Sequence, residues 1–502
     1  MDRREFIGVT ALALMAAHSP RLLAAEAPGF SAETVVSLAE DLASRPFVAP
    51  AAVPDAVQKL SYDQYRDIRF RQEAALWQGR NRGFIADLLH TGFVYKTPVD
   101  IFVVENGTSR RIDYDPRMFD FGPLVGTLPE LSGPLFSGLR LRTPLNTYTY
   151  WDEFAVFQGA SYFRAVGAGQ HYGISARGLA VDTAEPRGEE FPLFRSYWVE
   201  TPAEGGHSIV LHALLDSKSV TGAYRFVIYP GETTRMDVSV TLFARRDLKS
   251  LGFAPLTSMF MFDESNRARF DDFRQAVHDS DGLAIRRGNG EWIWRPLANP
   301  VNLQISAFMD VNPTGFGLMQ RATRFEDYQD LEARYEMRPS VWVEPKSGWG
   351  EGHVVLVEIP STQETNDNIV AFWRPSNVMA RGARMDFGYW LHWGTPREER
   401  SLATVQATRA GLSFDKKRRL FVIDFKAPEF GDNAFRDVVP KVSASRGNVS
   451  NVVGRYAEAL RTYRVSFELQ PDGAELSELR AVLIGGQEQP ASETWLYRWT
   501  AA

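Results

Sequence analysis

The feature that most restricts this chain's fold is a texture: from residue 91 onward, short alternating or apolar runs follow one another, each closed by Gly, Pro, Asn or Asp. Phe93-Val94-Tyr95, Asp100-Ile101-Phe102-Val103-Val104, Ser208-Ile209-Val210-Leu211 and Arg225-Phe226-Val227-Ile228-Tyr229 are such runs. Val238, Val240 and Leu242 recur at every second position, as do Met385, Phe387, Tyr389, Leu391 and Trp393. Successive side chains of a strand point to opposite faces, so alternation lays one face on a core. Repeated between turn signals, it predicts many antiparallel strands packed as a sandwich. Helical spacing is confined to residues 31–44, where Val35, Leu38, Ala39 and Leu42 share a face behind Ser31 as N-cap, and to a short stretch at residues 62–66.

The strand signals run up to Trp393, give way to the charged Pro396-Arg397-Glu398-Glu399-Arg400, and resume after Phe414. This places a linker at residues 395–408 between a large β-sandwich at 28–394 and a small β unit at 409–502. Leu420-Phe421-Val422-Ile423-Asp424-Phe425, the alternating Tyr463, Val465, Phe467 and Leu469, and Leu479-Arg480-Ala481-Val482-Leu483 are its strands, within the length of an immunoglobulin-like sandwich. Residues 430–451 are rich in Gly, Asn, Ser and Asp and predict a long mobile loop.

Residues 1–27 carry Arg3-Arg4-Glu5-Phe6-Ile7, an apolar run from Gly8 to Ala17 and small residues at Ala24, Ala25 and Ala27. Charged, apolar and small segments in that order predict a secretory signal peptide, and the paired arginines predict the twin-arginine type. Its apolar part is too short to span a bilayer, and no later segment approaches the ~20 apolar residues of a transmembrane helix. The expectation is a periplasmic protein with no stable membrane insertion.

The 502 residues contain no Cys, which removes disulfides, thiolate metal sites and a cysteine nucleophile. Lys and Arg number 56 against 62 Asp and Glu, without a basic block, so nucleic acid is not an expected partner. The eight histidines are scattered, and the closest pair, His207 and His212, has a spacing that sends two strand side chains to opposite faces. No metal and no cofactor are expected. Neither a Gly-x-Ser-x-Gly elbow nor a phosphate-binding loop is present, and Arg287-Gly288-Asn289-Gly290 is a turn signal.

Acidic and aromatic residues crowd together at 257–373, with Asp279, Asp281, Trp292, Trp294, Tyr335, Trp342, Glu364 and Asp367 among them and Arg338 in their midst. Glycoside hydrolysis uses two carboxyl groups, one to protonate the leaving oxygen and one to activate water or attack the sugar. Flat aromatic rings stack on sugar faces and raise the pKa of a neighbouring carboxyl. The alternative from the residues alone is that Asp279-Ser280-Asp281-Gly282 and Asn366-Asp367-Asn368 are turns with self-capping side chains.

Val277-His278-Asp279-Ser280-Asp281-Gly282-Leu283, Arg287-Gly288-Asn289-Gly290-Glu291-Trp292, Arg338-Pro339-Ser340-Val341-Trp342-Val343-Glu344-Pro345, Trp349-Gly350 and Glu364-Thr365-Asn366-Asp367-Asn368-Ile369-Val370 together resemble the osmoregulated periplasmic glucan biosynthesis proteins of types G and D. The resemblance covers essentially the whole chain after the signal. It implies a large β-sandwich followed by an immunoglobulin-like domain, and a role in making β-1,2-glucan. D-type members are similar to inverting endo-β-1,2-glucanases, and the twin arginines point toward that type. By this resemblance Asp367 is the general acid and Asp279 the base, with Asp281 the rival to Asp279. Tyr335 and Glu364 match positions lining the family's cleft. Trp292, Trp294, Arg338 and Trp342 are added as substrate-binding candidates from composition. The implied partner is β-1,2-glucan, and a homodimer is compatible with the chain. Three functions follow: an inverting glucanase, a glucan-cyclising transglycosylase using the same carboxylates, and a glucan-binding factor without catalysis.

Overall fold

A computed structural model describes residues 29–126, 131, 133–395, 401–427, 435 and 437–501. The signal peptide read at residues 1–27 lies outside them. Strand dominates, as the alternation predicts, and the large unit is a sandwich of two extended sheets.

One sheet runs Ile85–His90, Phe136–Thr143, Asp152–Gln158, Tyr162–Ala165, Ser175–Arg177, Leu251–Ser258, Ile369–Pro375, Glu351–Glu358 and Gln304–Val311, in that spatial order. The other contains the antiparallel run Leu193–Glu200, Ile209–Asp216, Val220–Tyr229, Thr234–Ala244, Arg384–Gly394, Ser340–Pro345, Gly315–Met319, Gly282–Arg286 and Trp292–Pro296. Val238 faces Tyr389 and Val240 faces Phe387 in register, and these side chains join Phe157, Phe163, Leu256 and Trp373 of the first sheet in one continuous core.

Alternation is weakest where both faces of a strand are covered. Val220–Tyr229 is buried at nearly every position. Tyr224, Phe226 and Ile228 enter the core, while Ala223, with Trp198, Leu214 and Phe243, packs under Val35 and Ala39 of the helix Ala32–Ala43. Thr221 donates its hydroxyl to the carbonyl of Ala39 at 2.7 Å. A single amphipathic helix thus turns an outward sheet face into a second, smaller core.

The C-terminal strands form a two-layer sandwich. Thr404–Leu412, Arg419–Lys426, Thr462–Gln470 and Asn448–Ala457 make one layer, and Val439–Ala444, Leu476–Ile484 and Thr494–Thr500 the other. The second layer is not closed off from the large unit. Ile293 and Trp294 pair in parallel with Thr494 and Trp495, so the large sheet continues without a break into the small sandwich. The small core of Phe421, Ile423, Phe467 and Trp495 also takes in Ala284, Trp294 and Met319.

Three expectations are corrected locally. Residues 430–451 contain the strand Val439–Ala444 and the start of Asn448–Ala457, because cross-strand pairing to Leu476–Ile484 and Thr462–Gln470 overrides their weak strand composition. Of the same segment, 430–434 and 436 lie outside the described residues. Phe93-Val94-Tyr95 is a tight turn: Gly92 and Tyr95 exchange both backbone hydrogen bonds, at 2.9 and 2.8 Å, with Phe93 at φ 54°. Finally, the strand Thr404–Leu412 begins inside the segment read as a linker, of which 396–400 is not among the described residues.

Candidate active site

Two acidic residues far apart in sequence stand on segments fixed to the same three residues of backbone. Where the strand Leu251–Ser258 ends, Ser258 accepts from the Asn368 amide at 3.0 Å. Phe260 exchanges two hydrogen bonds with the Asn368 side chain, its amide donating at 2.8 Å and its carbonyl accepting at 2.9 Å. Asn368 is buried and is the neighbour of Asp367, so the turn is pinned while Asp367 stays at the surface. Between those anchors, the carbonyl of Met259 accepts from the Asp279 amide at 2.8 Å, and the hydroxyls of Ser258 and Ser280 meet at 2.7 Å. The Asp279 and Asp367 segments are therefore held against one another by residues 258–260.

Neither Asp279 nor Asp281 caps its own turn. Asp279 is buried and its Oδ1 accepts from Arg338 Nη1. Burial pushes its pKa up to about 6, Arg338 opposes this, and the charge of Asp367 adds to the rise. Asp367 in turn lies 3.9 Å from Arg164 Nη2. Tyr335, at the start of a 3₁₀ turn, lies beneath Arg338 with the guanidinium 4.3 Å from its ring centre. Burial raises the Tyr335 hydroxyl, with the charge of Glu364 next in weight. Glu364 is held by Arg274 at 2.8 Å, and Arg274 also bonds Asp330 and Asp272 at 2.8 Å each. Asp279, Asp367, Tyr335, Glu364 and Arg338 thus form one cluster, which brings together the four residues implied by the family resemblance and one, Arg338, added from composition.

The remaining candidates lie elsewhere. Trp294 is buried in the core shared with the C-terminal sandwich, its ring covered by Arg321 at 3.6 Å. Trp342 packs against the same core and meets Trp292 at 5.5 Å. Its neighbours Val341 and Val343 point the other way, into the large core, so strand alternation sends Trp342 to the opposite face of the sheet. Asp281 accepts from the amides of Arg321 and Ala322 at 3.0 and 3.1 Å. It lines a separate cleft of about 240 Å³ with Asp263, Glu264, Trp294, Asp327 and Arg409. Asp279 and Asp281 are two residues apart yet serve different surfaces.

Several residues of the cluster carry no sequence signal. Arg164 sits between the buried Phe163 and Ala165 on a short strand, as any solvent-facing arginine would. Gln320 is fully buried; its Nε2 donates to the carbonyls of His278 and Tyr335 at 3.1 Å each, and its Oε1 accepts from His278 Nδ1 at 2.9 Å. This ties the backbone before Asp279 to the turn that carries Arg338. Burial lowers His278 to about 4, so it stays neutral at neutral pH and acts as a structural strut.

Fold and cluster define a double β-sandwich that carries a buried aspartate, Asp279, and an exposed one, Asp367, on neighbouring segments. Residues 30–499 match the family model described as "Periplasmic glucan biosynthesis protein, MdoG". The chain is 50% identical over 481 residues to a Vibrio cholerae protein named Glucans biosynthesis protein G, covering 95% of this chain and 88% of that one. Proteins of the same name from Shewanella frigidimarina and Bradyrhizobium diazoefficiens are 48% and 45% identical, over 95% and 100% of this chain and 86% and 100% of their own lengths. The chain belongs to the periplasmic glucan biosynthesis protein family.

Proposed function

We propose that the protein works in the periplasm on β-1,2-glucan as an anomer-inverting endo-glucanase. The family's name supports a glucan and the compartment; the motif resemblance supports the linkage and the reaction. The observation that carries the chemistry is the anchoring of Asp279 and Asp367 on residues 258–260, with Asp279 sensing the charge of Asp367.

In this reading the exposed Asp367 protonates the glycosidic oxygen as the bond to the anomeric carbon breaks. A water attacks from the opposite face and gives its proton to Asp279, directly or through intervening water, so the configuration inverts. A base works best with a pKa near the operating pH, and a buried Asp279 near 6 is ionised at neutral pH while still basic enough to take a proton. Exposed Glu364 is placed to orient the sugar, whereas Tyr335, buried under the Arg338 guanidinium, bears on the site through that arginine.

Incubation with linear β-1,2-glucan, sizing of the products by mass and observation of the new reducing end by NMR test the proposal. Shortened linear glucans released with inverted configuration are expected. Cyclic products of unchanged total sugar content would assign a transglycosylase instead, and binding without any change in glucan size would assign the non-catalytic role.

A further inference from the structure

We propose that Arg338 is a positioning residue that fixes the carboxylate of Asp279, and that residues 173–175 seat both this arginine and the one facing Asp367. The inference rests on the proposed roles of the two aspartates only for its kinetic consequence; the geometry stands without them.

Arg338 is largely buried and held by several partners. Nη1 donates to Asp279, Nη2 donates to the carbonyl of Ala333 at 3.2 Å, and the guanidinium covers the Tyr335 ring. Its alkyl stem runs over Gly173: a Cβ there would stand 2.9 Å from Arg338 Cβ and 3.1 Å from Cδ. The backbone of Gly173 does not lie in the left-handed region, so the need for glycine here is one of space. Two residues on, the Ser175 hydroxyl accepts from Arg164 Nε at 2.6 Å, which aims Arg164 at Asp367. The backbone also fixes this approach, since the amide of His171 donates to the carbonyl of Met337 at 2.9 Å. One short segment therefore sets two guanidinium groups opposite two carboxylates.

A guanidinium committed to a carboxylate, a carbonyl and a ring has little freedom to follow a sugar. What it supplies is charge and orientation. Asp279 is faced by Arg338 from the 3₁₀ turn, by Arg164 from the strand Tyr162–Ala165 and by Asp367 from the turn before Ile369–Pro375. Tyr328 and Tyr335 also border it, and its charge raises both hydroxyls. Arg338 is the stronger of the two groups that favour the ionised form.

The test uses the full chain with ¹³C-labelled aspartate, the Asp279 carboxyl being assigned by its absence in Asp279→Asn. In Arg338→Met the Asp279 midpoint should move to higher pH by about 1–3 pH units, the range set by losing an adjacent opposite charge. Arg338→Lys should recover part of that movement. Gly173→Ala should move the midpoint in the same direction by pushing the stem aside, with the thermal transition confirming that each variant folds. The acidic limb of kcat/KM on linear β-1,2-glucan should move with the NMR midpoint while KM changes little. An unmoved Asp279 midpoint in folded Arg338→Met would overturn the proposal, as would a lost glucan affinity with the midpoint unchanged, which would make Arg338 a sugar ligand. A wild-type chain that leaves glucan intact would refute the glucanase reading alone, since the NMR midpoints still decide the role of Arg338.

Discussion

Asp279 and Asp367 differ in how their surroundings prepare them. Asp367 stands on an exposed turn whose position is fixed one residue later by buried Asn368, so Asp367→Asn removes a proton donor without disturbing the anchor. Turnover should fall by about 10²–10⁴-fold, the usual worth of general acid catalysis, with the melting temperature close to wild type. Asp279→Asn should reduce turnover comparably. Because burial raises Asp279 to about 6, kcat/KM should fall as pH drops through that value, a limb that a pH series on the wild type reads directly. Lowered melting with full cleavage in both variants would return these residues to a purely structural role. The residues of the cluster were legible only through the resemblance of their long motifs to a known family, since composition alone left turn-capping open, and the different settings of Asp279 and Asp281 were not legible at all. They depend on which neighbour receives each side chain, Arg338 for one and the backbone of residues 321–322 for the other.

At the scale of elements, the join between the two sandwiches is a strand pair reinforced by a buried ion pair. Arg321 Nη1 bonds Glu493 Oε1 at 2.6 Å and the carbonyl of Val405 at 2.8 Å, while the Val405 amide donates to the same Glu493 oxygen at 2.6 Å. Trp294 covers the guanidinium. Removing one partner of a buried pair leaves an uncompensated charge, so Glu493→Gln should lower stability by about 3–5 kcal/mol in chemical denaturation. The strands themselves were readable wherever one face met the core and the other met solvent, as along Arg384–Gly394. The strand Val439–Ala444 was not readable, because its partner across the sheet, not its own composition, makes it extended.

At the scale of the molecule, buried titrating groups oppose one another. Asp281 is raised to about 7, chiefly by burial. A raised carboxyl contributes stability that is complete below its unfolded value of about 4 and is lost as pH rises through the folded value. The stability difference between wild type and Asp281→Asn should therefore decline from pH 4 to pH 7, by up to about 4 kcal/mol. His90 and His278, lowered to about 4 by burial, act in the reverse sense: their contribution is present above about 6.5 and is lost as pH falls through 4. The division of the chain near residues 395–408 is likewise a proposal about the whole molecule. The sheet runs on through Ile293–Thr494 and Trp294–Trp495, so halves expressed separately as residues 28–395 and 401–502 should co-purify as one complex. Independent elution of the two on a sizing column would make the join weaker than the shared core implies.

The sequence by itself determined the β class and the helix at Ala32–Ala43, which depend on period-two and helical spacing acting over a few residues, while the candidate carboxylates came from the resemblance of long motifs to a family. Only the tertiary structure decided that the segments carrying Asp279 and Asp367 share residues 258–260 as their anchor, and that Trp294 and Trp342 pack on the core of the C-terminal sandwich. It alone brought Arg164 and Gly173 to the site. Those outcomes are set by which strands lie side by side, and strand order is fixed by burial across the whole sandwich, which no local stretch of sequence encodes.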